Sequence, residues 1–457
     1  MSVAPLRLVE DDLASPAGAA TDLSATRESN ARTYSRWMQK SIVRGEGVRV
    51  FDGDGKRYYD CLSAAGTLAL GHNHPEVTAA VRRALADGIA WQALDLATPA
   101  KEAFCDALFS SLPSSFARRA RIHFCSPSGS DAVEAALKLT RTASGRSSML
   151  AFAGAYHGMT QGALGLMGNV TPKQVPGSGA SVQFLPYPYP YRCPFGRGGG
   201  DTATLSASYI RTLLADVESG VLPAALIMEL VQGEGGVIAA PDDWAREVRS
   251  ATRANGVPLI VDEVQTGWGR TGRLYAFEHS GIEPDVLVLS KAIGGGLPLA
   301  VIVYDESLDV WQTGAHAGTF RGNQLAMIAG VATLRVLIEQ DIPAHAARMG
   351  ERMRMHLDSF AAELECIGEV RGRGLMLGVE LVDPDGAPDA LGHPPPDGAL
   401  ARRVQAECLA RGLIIEMGGR YGAVARFLSP LIVTAEDVDA ICSIFHSACK
   451  AAGDRKD

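Results

Sequence analysis

Between residues 76 and 335, short runs of uniformly apolar residues alternate with stretches of helical periodicity, a pattern that few architectures accept. The runs are Met149 to Ala153, Ala224 to Leu230, Pro258 to Val261 and Val286 to Leu289. Strands that do not alternate apolar with polar must be buried on both faces, as happens inside a mainly parallel sheet covered by helices. The stretches at 76–87, 130–143, 240–255 and 324–340 supply those helices, so the fold class is α/β.

The flanks read differently. Val48 to Phe51 and Arg57 to Tyr59 enclose Asp52-Gly53-Asp54-Gly55, a hairpin signal because glycine supplies the positive φ of a tight turn. A helix is expected near 343–364 and a strand from Gly374 to Glu380, while five prolines between Asp383 and Gly398 mark a surface loop. Residues 1–25 lack periodicity and are expected to form a loose arm. The expected layout is a large domain over 76–335 and a smaller α+β domain assembled from 26–75 and 336–457.

Charge and cysteine usage remove several function classes. The formal net charge is −8, and the 35 Arg and 8 Lys are scattered rather than gathered on a basic face, which argues against a nucleic-acid partner. Eight cysteines, at 61, 105, 125, 193, 366, 408, 442 and 449, form no CxxC pair and no zinc spacing, so no metal site is expected and the thiols suit a reducing compartment. The N-terminal stretch carries acids where a signal peptide needs an apolar core, and no apolar run could cross a bilayer. No membrane partner is expected, and a cytoplasmic location is.

Chemistry concentrates at the ends of the apolar runs. Lys291 follows Val286-Leu-Val-Leu-Ser and precedes three glycines, which places it at a strand's C-terminal end, where ligands collect in open α/β sheets. A lysine with apolar neighbours has a lowered pKa and can act as a nucleophilic amine; the alternative is an ordinary surface lysine. Asp262 closes the run Leu259 to Val261, and a carboxylate there is costly unless a cation meets it. A pyridinium nitrogen would be such a cation; a helix cap or metal ligand is the rival reading. Ser128, Gly129 and Ser130 open a helix whose backbone N–H groups could bind phosphate, a signal shared with any capped helix. Gly318-Thr319 carries the same weak signal. Tyr156 follows another strand and could stack on a flat ring or simply belong to the core. His72 and His74 lie in a proline-broken loop with no further ligands.

The segments SPSGSDAVEAALKLTR, AFAGAYHGMT, VQGEGGVI, LIVDEVQTGWGRTG, LSKAIGGGLPLA, GTFRGNQLA and RGRGLMLGVEL stand in the order seen in class III (ornithine- and GABA-type) aminotransferases, and the chain resembles that family from about residue 28 to 445. Within it, ESNARTY (28–34), YPYPYRCPFG (187–196), HAGTF and FRGNQLAM are similar to the diaminobutyrate:2-oxoglutarate group. The resemblance implies a pyridoxal 5'-phosphate (PLP) transferase of fold type I, acting on a small amine donor and 2-oxoglutarate, as a homodimer with shared active sites. It implies Lys291 as the Schiff-base and proton-shuttling lysine and Asp262 as the pyridinium partner. Gln265 would donate to the ring phenolate oxygen, and Val264 and Tyr156 would cover the two ring faces. Ser128, Gly129 and Ser130 would cradle the phosphate, with Thr319 reaching across from the second subunit.

Glu234 and Arg426 resemble the family's switching pair, in which the arginine takes a substrate carboxylate and the glutamate neutralises it otherwise; a permanent structural ion pair is the alternative. The chain departs from the family at Leu230 and Ser429, where proline is usual. The implied reaction moves the terminal amine of L-2,4-diaminobutyrate to 2-oxoglutarate, giving aspartate semialdehyde and glutamate. GABA, ornithine or another diamine are alternative donors. An aminomutase or racemase would not need the oxo acid, and a non-catalytic PLP-binding module would not need the whole residue set.

Overall fold

The computed structural model describes residues 27–168, 181–197, 201–216, 218 and 222–453; the arm expected over 1–25 lies outside the described residues. A seven-stranded sheet forms the centre, in the spatial order Ala120–Phe124, Val301–Asp305, Val286–Leu289, Leu259–Asp262, Ala225–Met228, Met149–Phe152, Val182–Leu185. Val301–Asp305 runs antiparallel to both its neighbours and the remaining pairings are parallel. The mainly parallel α/β sheet is therefore as expected.

The uniformly apolar strands sort by the two-residue period of a pleated strand. Leu226, Met228, Leu259, Val261, Leu287 and Leu289 join one core cluster, while Ile227, Ile260, Val286 and Val288 join another on the opposite face. The helix Gly129–Ser144 covers the second face with Ala132, Val133, Ala135, Ala136, Leu137 and Leu139, all buried. Burying apolar side chains on both faces contributes about 1.5–3 kcal/mol for each large one, which makes this sheet the rigid frame of the molecule.

Both chain ends contribute to smaller sheets. The expected hairpin is present as Arg49–Asp52 against Arg57–Asp60, with Val50 opposite Tyr58, and Leu413–Ile414 adds to it in parallel from far along the chain. A second antiparallel sheet runs Ile367–Arg373, Met376–Leu381, Val424–Phe427, Glu416–Gly418. The strand expected to start at Gly374 starts at Met376 instead, because Gly374 (φ +54) forms the turn that joins it to Ile367–Arg373. No helix among the described residues is long and apolar enough to cross a membrane.

Candidate active site

The C-terminal ends of the parallel strands converge on one cavity of about 210 Å³, lined by Tyr34, Ala65, Gly129, Ser130, Tyr156, His157, Gly158, Glu229, Glu234, Asp262, Val264, Gln265, Thr266 and Lys291. Topology alone dictates this: each strand hands its next residues to the same edge of the sheet. Two larger clefts lie elsewhere and include neither Lys291 nor Asp262.

Lys291 enters directly after Val286–Leu289 with φ +51, a left-handed conformation that is strained for a side chain of this size. Ser290 steadies the turn by donating to the Leu299 carbonyl at 2.9 Å. Burial lowers the Lys291 ammonium pKa below its ordinary value, partly offset by Glu234 and Asp262. Among the described residues its Nζ has no hydrogen-bond partner, and the side chain lines the cavity.

Asp262, 5% exposed, ends the neighbouring strand. Its Oδ2 lies 2.7 Å from His157 Nδ1, and its Oδ1 accepts from the Val264 amide at 3.0 Å. Burial works against a charged His157, but the bond to Asp262 outweighs it and raises the imidazole's pKa. Glu229, behind Tyr156, accepts from the amides of Tyr156 and Gly233 at 3.0 and 3.1 Å, and burial pushes its pKa up to about 7.

Two glycines shape the space. A Cβ on Gly129 would sit 2.9 Å from Val264 Cγ1, and one on Gly158 (φ +120) would sit 2.1 Å from Ser130 Oγ. Gly129 and Ser130, the first residues of a sixteen-residue helix, line the cavity and bring that helix's N-terminus to it. Ser128 caps that helix, its Oγ accepting from Asp131 N at 3.3 Å, and does not line the cavity. Gln265 is held at the rim by its bond to the Ala65 carbonyl at 3.2 Å.

Behind Glu234, which lines the opposite wall, lies Arg426, with no solvent exposure. Its Nη2 donates to Glu234 Oε1 at 2.8 Å and also meets Glu416, whose other oxygen accepts from Tyr34 Oη at 3.1 Å. The two carboxylates raise the arginine's pKa against the effect of burial. Behind this wall, Arg371 donates to the Gly236 carbonyl at 2.7 Å and pairs with Glu380 at 2.9 Å, and Glu380 in turn binds Arg192 and Tyr189. The YPYPYR segment thus buttresses the turn that carries Glu234. The proline-rich 383–398 loop packs on the same segment, with Arg192 2.8 Å from the Pro394 carbonyl and the His393 ring tilted against Tyr191 at 4.1 Å; it does not line the cavity.

Of the residues expected from sequence, the cavity gathers Lys291, Asp262, Gly129, Ser130, Tyr156, Val264, Gln265 and Glu234, with Arg426 joined through Glu234. Thr319 is exposed and lines a different cleft beside His316 and Arg321. His72 pairs with Asp60 at 2.8 Å and His74 starts a helix. His157, Glu229, Glu416 and Tyr34 were not singled out by the sequence. Glu416 carried a usable signal, since it closes the apolar run Leu413 to Ile415 just as Asp262 closes its own.

An amine poised against a carboxylate at one sheet edge, with a helix N-terminus beside them, defines the class. Residues 31–449 match the family model "Aminotransferase class-III", and the chain belongs to that family. It is 54% identical over 438 residues to the diaminobutyrate–2-oxoglutarate aminotransferase of Rhizobium meliloti (strain 1021), covering 94% of this chain and 92% of that protein. It is 45% identical to the enzyme of the same name from Haemophilus influenzae (strain ATCC 51907 / DSM 11121 / KW20 / Rd), covering 93% of each. Among solved structures, an amine transaminase from an uncultivated Pseudomonas species in its PLP-bound form superposes with a TM-score of 0.81 at 28% identity, over 93% of this chain and 98% of that one. The ornithine aminotransferase of Toxoplasma gondii ME49 gives 0.79 at 25%, over 95% and 94%. The fold is that of the fold-type I aminotransferases, and the chain is an aminotransferase.

The residues present suit pyridoxal phosphate. Lys291 offers an amine to an aldehyde, Asp262 a buried carboxylate to a ring nitrogen, and Gly129 and Ser130 the N-terminus of a long helix to a phosphate.

Proposed function

We propose that this chain uses pyridoxal 5'-phosphate to transfer the terminal amine of L-2,4-diaminobutyrate to 2-oxoglutarate, yielding aspartate semialdehyde and glutamate. The observation that carries the chemistry is the convergence of Lys291 and Asp262 on one cavity. The choice of donor is supported by the names of the relatives at 54% and 45% identity.

When bound, the cofactor supplies an aldehyde that condenses with amines and a ring that draws electrons from the adjoining carbon. Lys291 holds it covalently at rest. Its amine, whose charged form burial disfavours, would remove the proton from the amine-bearing carbon of the donor. Asp262 keeps the ring nitrogen protonated, and His157 fixes the orientation of that carboxylate. Val264 and Tyr156 would hold the ring between them, Gln265 would donate to its phenolate oxygen, and Gly129 and Ser130 would form the phosphate end of a helix capped by Ser128. Arg426 binds the α-carboxylate of 2-oxoglutarate, and Glu234 covers the arginine when that carboxylate is absent.

The working unit is a homodimer, with Thr319 of each subunit completing the phosphate site of the other. Its exposure supports this, as do the exposed apolar side chains Trp91, Leu94, Leu96 and Phe320. The large unit spans 76–335 and the small one 26–75 with 336–457. Eight free cysteines support a cytoplasmic location. The test is a donor screen against 2-oxoglutarate with product identification. Diaminobutyrate should give the highest kcat/KM and release aspartate semialdehyde; a higher value for GABA or ornithine would overturn the choice of donor.

A further inference from the structure

Among the described residues five arginines are buried, and three of them meet carboxylates: Arg249 with Asp285, Arg371 with Glu380, and Arg426 with Glu234. Arg270 and Arg321 meet none. Arg270, 2% exposed, is bound by the carbonyls of Leu375 and Ser429. Arg321, 8% exposed, instead lines an open cleft of about 580 Å³. Its Nη1 donates to the Phe124 carbonyl at 3.3 Å and its Nη2 to the Ala317 carbonyl at 3.0 Å, while its Nε has no partner among the described residues. Neutral carbonyls satisfy N–H groups but leave the charge itself unmatched, and a charge withdrawn from water is costly without an opposite one.

The surroundings of Arg321 suit an anion brought by another molecule. The guanidinium lies against the Gly318–Thr319 turn, since a Cβ on Gly318 would sit 2.5 Å from Nε. Glycine at 318 thus admits the charge to the turn whose next residue, Thr319, lines the same cleft. Lys101 lines it too, and the cleft's acidic residue, Asp95, is exposed and forms no ion pair with Arg321. Leu94 in the cleft wall is 51% exposed and Phe320 in the turn 59%, an apolar rim of the kind that a second protein surface covers.

The cofactor cavity has the opposite deficit. A phosphate monoester carries about −1.5 to −2 charges near neutral pH, and a helix N-terminus supplies roughly half a positive charge. Of the residues lining that cavity, Lys291 and His157 alone can be cationic; the first is engaged by the aldehyde and the second is bonded to Asp262.

We infer that Arg321 is a further residue of the shared phosphate site: its charge, unmatched within its own subunit, is the counter-ion for the cofactor phosphate of the second copy. This deepens the reading proposed above, in which Thr319 completes that site, and rests on it.

Pyridoxal phosphate and pyridoxal are matched probes that differ by the phosphate. In equilibrium dialysis of the apoprotein, Arg321→Gln should weaken pyridoxal phosphate by about tenfold or more, the fold-change of one hydrogen bond to a charged group. Pyridoxal should bind as it does to the wild type. Arg321→Lys, which keeps the charge without the planar fork, should fall between and carries the test if Arg321→Gln does not fold. In dimers mixed from an Arg321→Gln chain and a Lys291→Ala chain, the intact lysine faces an intact Arg321, and its site should hold pyridoxal phosphate at wild-type affinity. Equal losses for both probes, an unchanged affinity for pyridoxal phosphate, or a mixed dimer as weak as the variant would overturn the proposal. Sedimentation of the same samples separates this from failure of the underlying reading: a monomeric wild-type holoenzyme would remove the shared site, and Arg321's part with it.

Discussion

At one end of the cavity Asp262 and Lys291 leave adjacent parallel strands of a single sheet; at the other, Glu234, Glu416 and Arg426 come together from a turn and two strands of a different sheet. The first end is fixed by backbone pairing and by side chains buried on both faces. The second is fixed by charge, with Glu234 and Arg426 separated by 192 positions in sequence. An enzyme that alternates between an amine and an oxo acid needs this division. The reacting atoms must stay in place through both halves of the cycle, while the recognition wall must present a different charge in each.

Breaking the rigid end should have the larger effect. In the reading proposed above, Asp262→Asn takes away the carboxylate that would face the ring nitrogen and that is bonded to His157, so kcat/KM should fall about 10³-fold for every donor alike. Steady-state rates with two donors check this, and a loss confined to one donor would contradict it. Breaking the other end should be selective. Arg426→Lys loses the planar fork that grips a carboxylate, so kcat/KM for 2-oxoglutarate should fall by about 100-fold, while the single-turnover rate with the amine donor falls far less. Equal losses in both half-reactions would show that the two ends are not separable.

A smaller effect sharpens the comparison within the rigid end. Glu263, next to Asp262, accepts from the amides of Ala276 and Phe277 at 2.8 and 2.9 Å, and burial pushes its pKa up to about 8. A carboxyl whose folded pKa lies above its unfolded value contributes stability in the acid range and loses it as pH rises through the folded pKa. The melting-temperature advantage of the wild-type apoprotein over Glu263→Gln should therefore shrink as pH rises from about 4.5 to about 8, the span between the ordinary and the folded pKa. An advantage that grows with pH would mean that Glu263 is held ionised.

The same division decides what could be read from the sequence. The sheet was legible because apolar runs such as Val286–Leu289 have one stable placement, and Lys291 and Asp262 stand at the ends of such runs. Ile367–Arg373 was missed because its pattern is largely polar and only its pairing with Met376–Leu381, across the turn at Gly374, makes it a strand. Tyr34 and Glu416 lie 382 residues apart, and their meeting depends on a sheet register that no local pattern encodes. His157 looked like any residue of a loop until the sheet edge placed it under Asp262.

The most direct test of the central claim is chemical trapping. The purified holoenzyme is reduced with borohydride, digested and mapped by mass spectrometry. The predicted result is a phosphopyridoxyl group on the peptide that carries Lys291, absent from a Lys291→Ala variant that also lacks turnover. A label on any other lysine, or normal turnover in that variant, would contradict it.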